Sequence, residues 1–217
     1  MLQFMIDGGW CMWPILGCSV IALGIFLERL EALKEAEIDT DALIDGISSR
    51  VQEDDIDGAV AVAEESPGPV AATLAVGLRK LRFLTGLGKS PDEIEAGVTK
   101  AMEDHGASVV DHLERNLPML ATMAAMAPLI GMLGTVVGLI DAFSAIMQAG
   151  NVRPDKVAGG ISVALLTTAA GLIVAVPATL FYNTLVARVN RVLLRVQSAG
   201  TELTEELTAI RSQGPRG

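Results

Sequence analysis

Three hydroxyl side chains in otherwise apolar sequence are the first candidates for chemistry. Thr135 stands in a 25-residue run without charge, 116–140, and Thr167 and Thr168 stand in a 31-residue run, 157–187. In hydrocarbon a threonine can bond back to its own helix, bond across to a neighbouring helix, or offer its oxygen to a passing ion. Laid on a helix at 100° per residue, Ala124, Pro128, Gly131, Thr135, Gly138 and Ala142 share one stripe. Ala164, Thr168, Gly171, Ala175, Thr179 and Tyr182 make the matching stripe on the second run. Thr167 adds a hydroxyl about 100° away from Thr168. Small stripes let helices approach closely in lipid, so the pattern fits pure packing; the hydroxyls in their middle equally fit the lining of a pathway. Thr135 lies 16 positions before Asn151 and Thr168 lies 17 after it, so a hairpin turning near Asn151 sets both at similar depth. Neither stripe holds an ionisable side chain deeper than Asp141, which we place near the outer surface and expect to matter less than the threonines. Ion paths through membranes need a titratable or charged group facing inward, so a conducting chain of this kind would need a partner helix carrying a carboxylate.

Other constellations fail on spacing. Gly88-Lys89-Ser90 resembles the end of a phosphate-binding loop, but Phe83 occupies the place of its first glycine and no strand precedes it. His105 and His112 are seven apart with no carboxylate–histidine metal pattern around them, and read as surface or packing residues. Cys11 and Cys18, also seven apart, read as small packing residues on one helix face, too few for a disulfide scaffold. We therefore expect neither an enzyme nor a cofactor. With 16 Lys+Arg against 26 Asp+Glu and a net charge of -10, the chain is not a nucleic-acid binder.

The elements that hold these residues follow from how charge is distributed. Apolar residues make up 51% of the chain and charged ones 19%, and the two are segregated. A third charge-free run covers 8–27. Each run reaches the roughly 20 residues a helix needs to cross about 30 Å of hydrocarbon. The reading is an all-α integral membrane protein with spans at about 10–28, 117–143 and 157–187. Nine of the sixteen Lys/Arg fall between Glu28 and Arg115 and five from Arg188 onward, while the Asn151 turn has only Arg153 and Lys156. That bias places the N-terminus outside and the long loop and C-terminus inside. No cleavage signal precedes Glu28-Arg29, so the first run reads as an uncleaved anchor.

The parts expected are an outer N-terminus and first transmembrane helix (1–28), a cytoplasmic helical region (29–116), a pore-forming hairpin (117–187) and a cytoplasmic C-terminal helix and tail (188–217). In the loop, helical periodicity runs from Glu28 to Glu65 with a break at Asp39-Thr40-Asp41, and Ser66-Pro67-Gly68-Pro69 then stops it. A helix over about 70–84 ends at Gly86-Leu87-Gly88. Ser90-Pro91-Asp92-Glu93 offers a cap, a first-turn proline and a capping-box glutamate, opening a helix expected to run on into the second span. The third span is expected to continue through Arg188, Arg191, Arg195 and Leu203 before the Gly214-Pro215 tail, so that long helices extend into a cytoplasmic bundle.

The segments APLIGMLGTVVGLIDAF (127–143) and GGISVALLTTAAGLIVAVPATLFYNTL (159–185) resemble the signature of the MotA/TolQ/ExbB proton-channel family, and are most similar to its TolQ/ExbB branch. Trp13-Pro14 and Leu27-Glu28-Arg29-Leu30 fit the same pattern. The resemblance implies a homopentamer around a central pore that encloses single-span ExbD/TolR/MotB-like partners, each bearing a transmembrane aspartate. Ion flow past that aspartate would drive work on the cell envelope, as in TonB- or Tol-type energy transduction and import across the outer membrane. It also implies that Thr135 and Thr168 face the partner aspartate, and that Pro128 and Pro177, lacking N–H groups, permit local bending. Gly131, Gly138 and Gly171 are the packing positions of the stripes.

Two departures qualify what the resemblance implies. Val163 stands where the TolQ/ExbB pattern usually has glutamate, and it cannot titrate. Thr167 stands where proton-driven relatives often have alanine, and a Thr167-Thr168 pair resembles sodium-driven ones. Sodium wants several oxygen ligands, whereas a proton needs only a titratable chain; proton and sodium both stay open, with a sodium ion near Thr167 and Thr168 as one outcome. The contrasting reading is a membrane scaffold that anchors or oligomerises a partner without conducting. Tyr182-Asn183 also matches the family, although a tyrosine at the inner interface is expected of any membrane protein.

Overall fold

The computed structural model describes residues 5, 8–36, 40–149 and 154–212. The turn at Asn151 and Arg153, the break at Asp39 and the Gly214-Pro215 tail lie outside them. Every regular element is a helix: α1 (Met12–Ala36), α2 (Thr40–Gln52), α3 (Ile56–Glu65), α4 (Pro69–Gly86), α5 (Pro91–Glu114), α6 (Leu117–Ala149) and α7 (Pro154–Ser212). The chain divides into two compact units, residues 1–29 with 116–186, and residues 30–115 with 187–217.

Helix boundaries in the second unit follow from local chemistry. Asp54 takes a left-handed φ of 61° between α2 and α3. Asp55 then caps α3 by accepting from the Gly58 amide at 2.9 Å and from Arg50 at 3.0 Å. This break interrupts the periodicity that reads as one helix up to Glu65. Gly68, at φ 103°, turns the chain into α4, whose first residue is Pro69. Gly88, at φ 67°, ends the connection after α4. Ser90 and Glu93 close a full capping box on α5, and Lys89 Nζ bonds Glu93 Oε1 at 3.0 Å, so Gly88-Lys89-Ser90 serves as a helix start. Lys89, then Ser90, hold the exposed Glu93 carboxyl below the usual carboxylate range.

The core of this unit is made of large side chains. Leu33, Ile47, Leu74, Leu78, Leu81, Val98, Val189 and Val192 are all nearly or fully buried. Met102 lies over Gly77, where a Cβ would stand 2.6 Å from its sulfur. The charges face outward: Arg79–Glu64 and Arg82–Asp57 tie α4 to α3 through exposed pairs, each worth about 0–1 kcal/mol.

The helix expected to run unbroken from Ser90 into the second span is interrupted at Arg115-Asn116. Asn116 adopts φ 75°, a conformation its short polar side chain tolerates. Its carbonyl accepts from the Leu120 amide at 3.1 Å, and its side-chain amide donates to Glu28 Oε2 at 3.2 Å. Glu28 also accepts from Arg29 at 3.0 Å. Periodicity passes over the break, although Pro118 in the first turn of α6 is a local signal of a helix start.

The first unit packs the N-terminal part of α1, the whole of α6 and α7 up to residue 186. Cys18, Ala127 and Ala175 form a buried cluster, backed by Met123, Ile130 and Val174, and Ile15, Leu117, Leu120 and Leu185 are buried as well. Phe26 and Phe181 stack with centroids 3.9 Å apart. Cys11 and Cys18 are free buried thiols. Many large apolar side chains point outward, among them Leu129 (62% exposed), Phe143 (63%), Leu165 (65%) and Ile173 (70%). Two helical runs, Pro91–Met147 and Val157–Ala209, are long and apolar enough to cross a membrane, and only 22% and 28% of their apolar stretches is buried in the chain. A core helix of a soluble protein would be mostly buried.

Candidate functional site

The two stripes meet each other. A Cβ on Gly131 would stand 2.9 Å from the Thr167 carbonyl oxygen and 3.1 Å from the Thr168 Cα. One on Gly138 would stand 2.6 Å from the Gly160 carbonyl oxygen and 2.9 Å from the Ala164 nitrogen. One on Gly171 would stand 2.7 Å from the Ala127 carbonyl oxygen. α6 and α7 thus touch backbone to backbone, and a side chain at any of these glycines would push against main chain that cannot yield. Gly131, Gly138 and Gly171 stand where the two helices come closest.

The three threonines divide. Thr167 is fully buried, and its hydroxyl donates to the Val163 and Ala164 carbonyls at 3.0 Å each. Its side chain fills the space above Gly134, where a Cβ would lie 2.5 Å from the Thr167 Cβ. The expected pathway role for Thr167 therefore meets a side chain seated inside the seam, with its hydroxyl donated to its own helix. Thr168 is half-buried, and its hydroxyl donates across the seam to the Gly131 carbonyl at 3.1 Å. That bond spans 37 residues and is what fixes the two helices in register at this level. Thr135, also half-buried, donates to the Met132 carbonyl of its own helix. Both hydroxyls keep lone pairs free to accept, because a hydroxyl has one donor and two acceptor sites.

Pro128 and Pro177 sit inside α6 and α7. Each removes one i to i−4 bond, so the carbonyls of Ala124 and Ile173 lack their usual donors. Val163 is half-buried, with its Cγ1 3.7 Å from where a Cβ on Gly9 would stand, so it packs on the turn ahead of α1. Asp141 is exposed, and Tyr182 half-buried.

Sequence reasoning missed Gly134 and Gly160. A Cβ on Gly160 would stand 2.6 Å from the Gly138 carbonyl oxygen, so the two glycines face each other. The signal was present: Gly134 and Gly138 form a small-x-x-x-small pair at helix-contact spacing.

Elsewhere, a groove of about 950 Å³ lies in the second unit, lined by Thr73, Met102, Gly106, Val196 and Gly200 with Glu95 and Glu103 at its side. Thr99, Gln197, Thr201 and Thr204 also line it. Among the described residues no three His, Cys, Asp or Glu gather as metal ligands.

Residues 66–198 match the family model described as the MotA/TolQ/ExbB proton channel family. The chain is 31% identical over 213 residues to the Tol-Pal system protein TolQ of Haemophilus influenzae, covering 92% of this chain and 86% of that protein. It is 32% identical over 206 residues to the putative biopolymer transport protein ExbB-like 1 of Synechocystis, covering 94% and 77%. With the biopolymer transport protein ExbB of Aquifex aeolicus it shares 42% identity over 88 residues, 41% of this chain and 60% of that one. A small-residue hairpin bearing paired threonines, matched along most of the chain to such relatives, makes this protein a member of the MotA/TolQ/ExbB proton channel family, on its TolQ/ExbB side.

Proposed function

We propose that the chain is the conducting subunit of an inner-membrane motor that couples proton flow to work on the cell envelope, of the TonB or Tol type. The observation that carries this reading is the hairpin. It is locked through main-chain contacts, with the half-exposed hydroxyls of Thr135 and Thr168 beside the seam and large apolar side chains left outward along both helices. In this reading α1 supplies a third span. Five copies enclose single-span ExbD/TolR/MotB-like partners, whose transmembrane aspartate meets Thr135 and Thr168. Such a partner acid supplies the titratable group that both stripes lack. The N-terminus lies outside and the second unit and C-terminus in the cytoplasm, as the Lys/Arg distribution favours.

The proton is favoured over sodium by the position of Thr167. A cation stripped of water needs several oxygens together, and the extra hydroxyl that would have distinguished a sodium site is fully buried inside the seam against Gly134, whereas Thr135 and Thr168 are half-exposed. Reconstitution with the partner in liposomes tests the reading. Under a proton gradient the wild type should conduct, and Thr135→Val or Thr168→Val should abolish flux while the assembly stays intact. Unchanged function with both threonines replaced would instead favour a scaffold that anchors its partner without conducting.

A further inference from the structure

The bond from Thr168 to Gly131 has a direction, and direction constrains what the hydroxyl can do for a partner acid. Its one hydrogen points across the seam to the Gly131 carbonyl at 3.1 Å, so toward any further group Thr168 offers only lone pairs. A protonated carboxyl can donate to those lone pairs, giving an unbroken chain from acid to Thr168 to Gly131. An ionised carboxylate has no hydrogen to give and can only accept. To satisfy it, the Thr168 hydroxyl must turn its hydrogen away from Gly131 and toward the carboxylate. Gly131 then loses the donor that ties α6 to α7 at this level. The partner's proton is the one that leaves; the threonine keeps its own throughout.

We infer that Thr168 senses the ionisation state of the partner acid by switching its single hydrogen between the Gly131 carbonyl and the carboxylate, so that each deprotonation releases the cross-seam bond of the hairpin. The inference rests on the function proposed above and adds the internal contact through which charge reaches the fold. Two features of the structure favour it. Thr168 is the threonine whose bond crosses helices, whereas Thr135 and Thr167 both bond within their own helix. The neighbourhood also holds no competing titratable group. On α6 the nearest is Asp141, ten residues and about 15 Å along the helix from Gly131. On α7 the nearest are Lys156, twelve residues and about 18 Å before Thr168, and Tyr182, fourteen residues and about 21 Å after it. On the segment leading into and forming α1 the described groups are Cys11, Cys18, Glu28, Arg29, Glu31 and Lys34, of which Glu28 and Arg29 are engaged with each other and Glu28 with Asn116.

The sequence provides a specific probe, because Gly131-Met132 is its one Gly-Met dipeptide. Labelling glycine carbonyl carbon with ¹³C and methionine nitrogen with ¹⁵N therefore isolates a single carbonyl signal, that of Gly131. The signal should be followed against pH in the lipid-reconstituted complex of the full chain with its partner, alongside proton flux in the same preparation. In wild type the Gly131 carbonyl shift should move through the titration of the partner acid. It should move likewise in Thr168→Ser, which keeps the hydroxyl, and stay fixed in Thr168→Val and in a complex whose partner aspartate is replaced by asparagine. A Gly131 signal that does not move in a conducting wild-type complex overturns the switch and leaves the proposed function standing. So does a signal that moves equally in Thr168→Val. Absence of proton flux in the wild-type complex overturns the function as well.

Discussion

The two units of the chain are built on opposite plans. In the second, leucines, isoleucines and valines fill the interior and charge covers the outside. In the first, alanine, glycine and threonine line the seam between α6 and α7, a few large side chains such as Leu120, Leu185 and Ile15 are buried beside it, and most leucines, isoleucines, valines, methionines and phenylalanines of the two helices face out. Water explains the former, because removing large apolar surface from it is favourable in proportion to area. Where the surroundings are themselves apolar that drive vanishes, and helices gain instead from closeness, which only small residues permit. The difference teaches where each unit is vulnerable. The first should fail when volume is added inside, and the second when volume is removed.

The largest effect follows from adding volume. Gly138→Leu or Gly171→Leu would drive a side chain into main-chain atoms now 2.6 or 2.7 Å from the missing Cβ. Overpacking of flexible cores costs about 1–3 kcal/mol, and a rigid backbone contact should exceed that. We expect no folded hairpin and no assembly with the partner, checked by co-purification from membranes. The reciprocal change is Leu78→Ala in the second unit, where Leu78 is wholly buried. A loss of about 2–5 kcal/mol is expected, seen as a lowered denaturation midpoint. The same truncation at Leu165, 65% exposed, should move that midpoint little.

A finer change moves one methyl across the seam. Gly134→Ala alone should weaken assembly, since its Cβ meets Thr167. Adding Thr167→Gly should recover much of what was lost. Equal weakness of the double variant would mean that the Gly134–Thr167 contact does not set the spacing. The smallest effect lies on the charged surface of the second unit. Glu93, its carboxyl held low first by Lys89 and then by Ser90, contributes stability that is present above the ordinary carboxylate range and fades as pH falls through its lowered folded value. Glu93→Gln should remove that slight acid dependence, read from unfolding midpoints across the acidic range, and leave neutral-pH behaviour close to wild type.

Much of this was legible in the residues. The helix starts at Pro69 and Pro91 were visible because proline, glycine and the Ser90–Glu93 spacing act locally, and local rules survive in any tertiary setting. The glycine stripes showed which faces could approach. Two breaks were harder to read: Asp54 and Asn116 adopt positive φ without a glycine to announce it, and what holds Asn116 is Glu28, 88 positions away. The seat of Thr167 was hidden for a similar reason: nothing in the sequence pairs it with Gly134, 33 positions away, against which its side chain lies.

In the proposed function the burial of Thr167 favours the proton, and one comparison tests it. Complexes of the chain with its partner are placed in liposomes, and wild type, Thr167→Val and Thr168→Val are driven in turn by proton and by sodium gradients. Thr167→Val keeps the shape that fills the space above Gly134 and removes only the hydroxyl. We predict proton flux in wild type, near-wild-type proton flux in Thr167→Val, and none in Thr168→Val. Sodium-driven flux in wild type that disappears in Thr167→Val would contradict this, and would make Thr167 a ligand of the transported ion.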